Sequence, residues 1–268
     1  MSLTAHNVTA LRGRSTVLDD VDIAVLPGRI TAVIGENGAG KSTLVDVLVG
    51  DLRARSGRVT VDDVAVADLS TKALARSRAV LPQRAQVVFD LSVLDVVLVG
   101  RAPWHHGRAT ALDADVALRC LEQVDARHLA QRSYLQLSGG EQQRVALARA
   151  LAQLHGDDGE FSSGARYLIL DEPTTYLDFR AQELLMNVAK TAAAGGKGVL
   201  VVVHDLNLAA SLADDVVVMS RGKVLAAGPP ADVMTAAVLT RALRAPVKVA
   251  AIVDGRPLLM LDRSRSFS

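Results

Sequence analysis

Ile30-Thr-Ala-Val-Ile-Gly35-Glu-Asn-Gly-Ala-Gly40-Lys-Ser-Thr-Leu-Val45 decides the fold. Its first five residues form a short, β-branched apolar run, as expected of a strand buried on both faces. From Lys41 the pattern becomes helical, runs to Val49 and stops at Gly50. Between strand and helix, Gly35, Gly40, Lys41 and Ser42 fit G-x-x-x-x-G-K-[ST] in the setting that motif requires. Gly35, Glu36, Asn37, Gly38, Ala39, Gly40, Lys41, Ser42 and Thr43 are thus expected to wrap a chain of phosphates. Backbone N–H groups converge on the anion and the helix N-terminus adds its positive end. Lys41 reaches the outer phosphates, and Ser42 offers its hydroxyl to Mg2+. A chance match in a chain of this length is on the order of 1%, so the stretch reads as a nucleotide site on an α/β core.

Outward from this loop, Tyr167-Leu-Ile-Leu170, Val199–Val203 and Val216–Met219 are further continuous apolar runs, the pattern of parallel strands covered on both sides. The first of them ends in Asp171-Glu172, which places two carboxylates at the carboxyl edge of the sheet, where ligands bind in open α/β folds. Asp171 is expected to hold Mg2+ through water, and Glu172 to orient or deprotonate a water beside the terminal phosphate. Hairpins are expected in residues 57–66 around Asp62-Asp63 and in Val247–Leu261 around Asp254-Gly255. Residues 90–136 hold no strand-like run beyond Val96–Val99 and read as a mostly helical insert. Residues 156–164 and 194–198 are polar, glycine-rich loops.

The 268 residues suit one large α/β unit or a core with an inserted subdomain, and half of them are hydrophobic, enough for a sizeable core. Lys and Arg number 30 against 29 Asp and Glu, which leaves no electrostatic footprint for nucleic acid. A single cysteine, Cys120, excludes an intrachain disulfide framework and is expected to be packed rather than reactive. The start shows no basic region followed by an apolar run, so no signal peptide is expected. No apolar stretch approaches the ~18 residues of a membrane span.

A hundred residues past the phosphate loop stands Leu137-Ser-Gly-Gly-Glu-Gln-Gln-Arg144. Ser138 and Glu141 fit a capping box at the start of a helix whose apolar side includes Val145, Ala148 and Leu151. The Gly139-Gly140 pair weakens a helix start but bares N–H groups for an anion. With this stretch the chain resembles the ATP-binding cassette family of transport ATPases along nearly all its length. The resemblance implies an α/β fold: a P-loop NTPase, RecA-like core (about 1–84 and 146–268) with a β subdomain and an inserted α-helical subdomain (about 85–145).

The same resemblance implies ATP and Mg2+ as cofactors and a head-to-tail dimer. In it, Ser138, Gly139 and Gly140 of one copy complete the ATP site of the other. Gln83 occupies the position of the family's glutamine loop, as a γ-phosphate sensor and Mg2+ ligand, and His204 that of its switch histidine. Asp178 lies in the dimer-contact loop, which reads Thr174-Thr-Tyr-Leu-Asp178 where the family usually has Thr-Ser-Ala-Leu-Asp. The place where the family usually stacks adenine on an aromatic ring holds Arg12, whose guanidinium plane can itself stack on a base.

Within the family, three stretches resemble the ATPase subunits of bacterial haem importers, beside the ferric-siderophore and vitamin B12 group. These are Val80-Leu-Pro-Gln83 followed by Leu91–Pro103, then His204–Ala210, and the lengthened connection between Leu154 and Tyr167. The implied partners are a second copy of the chain, two membrane-spanning permease subunits and a substrate-binding protein. The implied place is the cytoplasmic face of the cell membrane, and no nucleic acid is implied. Trp104-His105-His106 could suggest haem ligation, but haem would pass through the permease and no direct haem binding is expected. Soluble cassette ATPases acting on DNA or the ribosome are the rival class; the single cassette, the absence of sustained heptads and the balanced charge weigh against it.

Overall fold

The computed structural model describes residues 1–83, 90–105, 107–161, 166–174 and 179–262. The chain divides into two compact units, Met1–Asp68 with Leu200–Ser268, and Leu69–Val199.

The first unit begins with β1 (Leu3–Arg12), β2 (Ser15–Val25), β3 (Ile30–Gly35), α1 (Lys41–Leu48), β4 (Ser56–Val61) and β5 (Val64–Ala65). An antiparallel sheet has the order β2-β1-β4-β5. Its β4–β5 turn is Asp62-Asp63, both at positive φ (49° and 69°), as a two-residue turn matched to strand twist requires. Strand β3 is buried at every residue. Helix α1 ends as its sequence promised: Gly50 sits at φ 82°, its N–H bonds Val47 O at 3.2 Å, and Asp51 N–H bonds Asp46 O at 2.8 Å. This glycine-terminated pattern satisfies two orphan carbonyls of the last turn.

The second unit contains α2 (Thr71–Ser77), β6 (Arg78–Leu81), α3 (Val93–Leu98), α4 (Ala111–Gln123), α5 (Gly139–Gln153), β7 (Tyr167–Asp171) and α6 (Phe179–Ala194). Strands β6 and β7 pair in parallel, Arg78 opposite Tyr167 and Leu81 opposite Leu170. Helices α3, α4 and α5 pack on one another. Side-chain caps start them: Ser92 accepts from Asp95 N–H, Thr110 from Asp113 N–H and Ser138 from Glu141 N–H. The Ser92 cap explains why Val96–Val99, strand-like in composition, is helical. Local capping and packing against α5 outweigh β-propensity, which is a preference for half-buried pleated surface rather than a backbone rule. Cys120 is buried on α4, and burial pushes its thiol up to about 12. We expect native protein to resist thiol-disulfide reagents at about pH 8 and unfolded protein to react; rapid labelling of native protein would contradict this packing. The burial contribution is intact below the unfolded thiol's ionisation near 9.0 and is lost as pH rises towards about 12.

The chain returns through β8 (Gly198–Val202), where the division falls, to α7 (Leu206–Leu212), β9 (Asp215–Ser220), β10 (Lys223–Gly228), α8 (Pro230–Val233), α9 (Ala236–Leu243), β11 (Val247–Val253) and β12 (Arg256–Leu261). In the first unit the strand order is β10-β9-β3-β8, with β3 and β9 parallel. The hairpin β11–β12 turns at Asp254-Gly255 and is fastened to α7. Asn207 exchanges hydrogen bonds with Leu259 N and O (2.8 and 3.2 Å), and Arg256 donates to Ala210 O and Ala213 O at that helix's end. Among the described residues no helix is long and apolar enough to cross a membrane.

Candidate nucleotide site

In the first unit the site grows from the end of β3. Gly35 lies so close to β9 that a Cβ there would meet Met219 O at 2.3 Å, so only glycine lets the strand enter the loop at this place. Gly40, at φ 100°, is the residue before α1; a Cβ there would fall 2.9 Å from Val17 O and Leu18 Cδ2. Helix α1 receives no side-chain cap from it, the form in which a helix N-terminus can take an anion instead. Lys41 is buried, with its ammonium donating to Gly35 O at 2.9 Å and Glu36 O at 3.1 Å across the loop. Ser42 is half-buried on the first turn, beside buried Thr43.

Arg12, at the end of β1, donates through Nε to Thr43 Oγ1 at 3.1 Å and pairs with Asp46 one turn further along α1. Burial pushes the Asp46 carboxyl up, against the lowering influence of Arg12. The guanidinium is therefore anchored on the phosphate-loop helix. His204 is exposed just past β8, whose continuation Val203 N–H bonds Val33 O at 3.2 Å, so it stands beside the strand that feeds the loop. Asp205 follows as the cap of α7, accepting from Asn207 and Leu208 N–H.

In the second unit two residues far apart in the chain meet. Gln83 lies two residues beyond β6 and Glu172 one beyond β7, and the parallel pairing of those strands brings their ends together. Gln83 Nε2 donates to Glu172 Oε2 at 2.5 Å. Glu172 has φ 48°, a left-handed conformation that costs a non-glycine residue ~1–3 kcal/mol and is concentrated at functional sites. Asp171, the last residue of β7, is buried.

Ser138 caps α5 in a full capping box. Its backbone N–H and hydroxyl both donate to Glu141 Oε2 at 2.8 Å, and these bonds hold the Glu141 carboxyl below the usual carboxylate range. Gly139 and Gly140 are the first residues of α5, and a Cβ on Gly139 would meet nothing within 4 Å. Gln143 on the same helix donates to Pro173 O at 3.3 Å, next to Glu172. Asp178 lies outside the described residues, as do His106 and part of the 156–164 loop.

Two further contacts carry no motif. Arg244, in the left-handed region at the end of α9, lies 3.5 Å from Glu36 of the phosphate loop. Arg101 is wholly buried with Asp113 at 3.0 Å. A lone arginine two residues after the apolar run Val96–Val99 was the available signal for the second; the first had none.

Comparison with known proteins gives the family. The ABC transporter family matches residues 18–175. The hemin import ATP-binding protein HmuV of Bordetella pertussis is 48% identical, covering 88% of this chain and 89% of that protein. HmuV of Burkholderia ambifaria is 42% identical over 97% of this chain and 99% of its own length. Among solved structures, an inward-facing putative metal-chelate type ABC transporter is 25% identical with a TM-score of 0.80, covering 98% of both chains. A dimeric bacterial ABC transporter cassette is 27% identical with a TM-score of 0.73, covering 85% of this chain and 98% of that one.

Proposed function

The chain belongs to the ABC transporter family as one of its ATP-binding, ATP-hydrolysing cassettes, and from that premise we propose that it is the ATPase subunit of a bacterial haem importer. The observation that carries the choice of haem is the 42–48% identity to hemin import ATP-binding proteins along most of the chain. Catalytic motifs alone are shared by the whole family and do not select a substrate.

In this reading ATP is held between the phosphate loop of one copy and Ser138–Gly140 of a second, head to tail. The loop N–H groups and Lys41 bind the phosphates, and Arg12, braced by Asp46 and Thr43, offers its planar face to the base. Ser42, Gln83 and Asp171 supply oxygen ligands only, the donor set that suits Mg2+, which when bound would offset charge on the phosphates. Glu172 takes the proton of the attacking water, and the Gln83 amide fixes its carboxylate at the strand end. His204 contacts the terminal phosphate, and Asp178 belongs to the contact between copies. The Ser138 hydroxyl, which here donates to Glu141, turns to the phosphate held by the other copy.

Two permease subunits, contacted through the helical segment of about 85–145 with Gln83 at its edge, receive the motion, and a substrate-binding protein delivers haem to them. The chain then works at the cytoplasmic face of the membrane, held there by the permease.

The test is ATP hydrolysis by the complex of this chain with its permease and binding protein, the latter empty, haem-loaded or ferric-siderophore-loaded. Haem-loaded binding protein should raise the rate several-fold over the empty form. Stimulation by the siderophore-loaded form alone would overturn the haem reading in favour of its neighbour in the same group.

A further inference from the structure

The turn that follows α3 does something no catalytic motif explains. Arg101 is 0% exposed and divides its fork of donors between α4 and the end of α5. Its Nε binds Asp113 Oδ1 at 3.0 Å, while its terminal nitrogens bind Ala152 O (2.8 Å), His155 O (2.5 Å) and Gly156 O (2.5 Å). Three residues on, Trp104 donates its indole N–H to Gln153 O at 3.0 Å. The acceptors Ala152, Gln153, His155 and Gly156 are carbonyls at and just beyond the C-terminus of α5, where the helix's negative dipole end lies. Gly100 completes the fit, since a Cβ there would meet Arg149 O of α5 at 2.2 Å. Asp113 is fixed in turn by Thr110, whose N–H and hydroxyl both donate to it at 2.8 Å. The other end of α5, about 22 Å away for a helix of 15 residues, is Ser138.

We propose that Arg101 and Trp104 form a clamp on the C-terminus of α5 that sets the position in which Ser138–Gly140 is presented to the ATP of the second copy. They are positioning residues; neither touches nucleotide. A fully buried, charge-assisted fork is a rigid fastening, so displacement of the α3 turn carries α5 and its N-terminus with it. The proposal rests on the paired-site reading above.

The test uses the full chain with Glu172→Gln as the parent, in ATP and Mg2+. It compares the dimer dissociation constant, the ATP affinity of the dilute monomer and the melting temperature. Trp104→Phe removes only the indole N–H and keeps a ring under Arg76, which lies 5.2 Å from its centre. It should weaken the dimer about threefold to tenfold, the scale of one hydrogen bond, with monomer ATP affinity unchanged. Arg101→Lys, which keeps the charge but loses the fork, should weaken it more than tenfold. In the otherwise unsubstituted chain both should lower kcat with no loss of monomer ATP affinity. A lowered melting temperature with an unchanged dimer constant in folded Trp104→Phe would show the clamp to be structural only and overturn the proposal. Failure of the Glu172→Gln parent itself to dimerise would instead defeat the paired-site reading.

Discussion

Glu172→Gln should bind ATP as tightly as the unsubstituted chain and hydrolyse it about 100- to 10,000-fold more slowly, the range expected for loss of a general base. The substitution is nearly isosteric, and Glu172 lies outside β7 and makes no part of its ladder, so the fold should tolerate it. The phosphate loop keeps its own fastening, Lys41 bridging Gly35 and Glu36. What is removed is a carboxylate at φ 48°, placed opposite the Gln83 amide by two paired strands. Turnover above about a tenth of the parent rate in the assembled transporter would take the base role away from Glu172.

Gly139→Asp should separate stability from function with opposite signs. Nothing in the chain lies within 4 Å of a Cβ at that position, and an acidic residue in the first turn of α5 favours the helix dipole. Replacing glycine in a helix adds up to ~1 kcal/mol, so the melting temperature should hold or rise. Hydrolysis should nevertheless fall by two orders of magnitude or more, because a carboxylate would then face the phosphates of the second copy's ATP. Binding of ATP to the monomer should stay as it was. A variant that is both stable and fully active would remove Ser138–Gly140 from the nucleotide site.

The parts of this molecule legible in its sequence are those governed by local rules. Ile30–Ile34 and Tyr167–Leu170 read as buried strands because parallel strands tolerate no polar alternation, and all their residues are buried. Asp62-Asp63 and Asp254-Gly255 read as turns because few residue pairs accept two positive φ angles, and each has them. The Ser138–Glu141 box was visible from spacing alone.

What stayed hidden depends on which elements become neighbours. The contact of Gln83 with Glu172 spans 89 residues and exists only because β6 and β7 pair in register. The fork from Arg101 to the end of α5 spans 51 to 55 residues, and nothing in the sequence names its acceptors. Val96–Val99 carries a strand-like composition that the Ser92 cap overrides. The last hairpin is legible as a hairpin, but the exposure of its apolar residues Ile252, Val253, Met260 and Leu261 is not.

The most direct test of a site shared between two copies is the molar mass of the Glu172→Gln chain in solution, measured by light scattering with and without ATP and Mg2+. Without nucleotide the mass should be the 28.3 kDa of one chain. With ATP it should double, and the Gly139→Asp substitution added to the same chain should abolish the doubling while leaving ATP bound. A mass that stays at one chain while ATP is demonstrably bound would contradict the shared site.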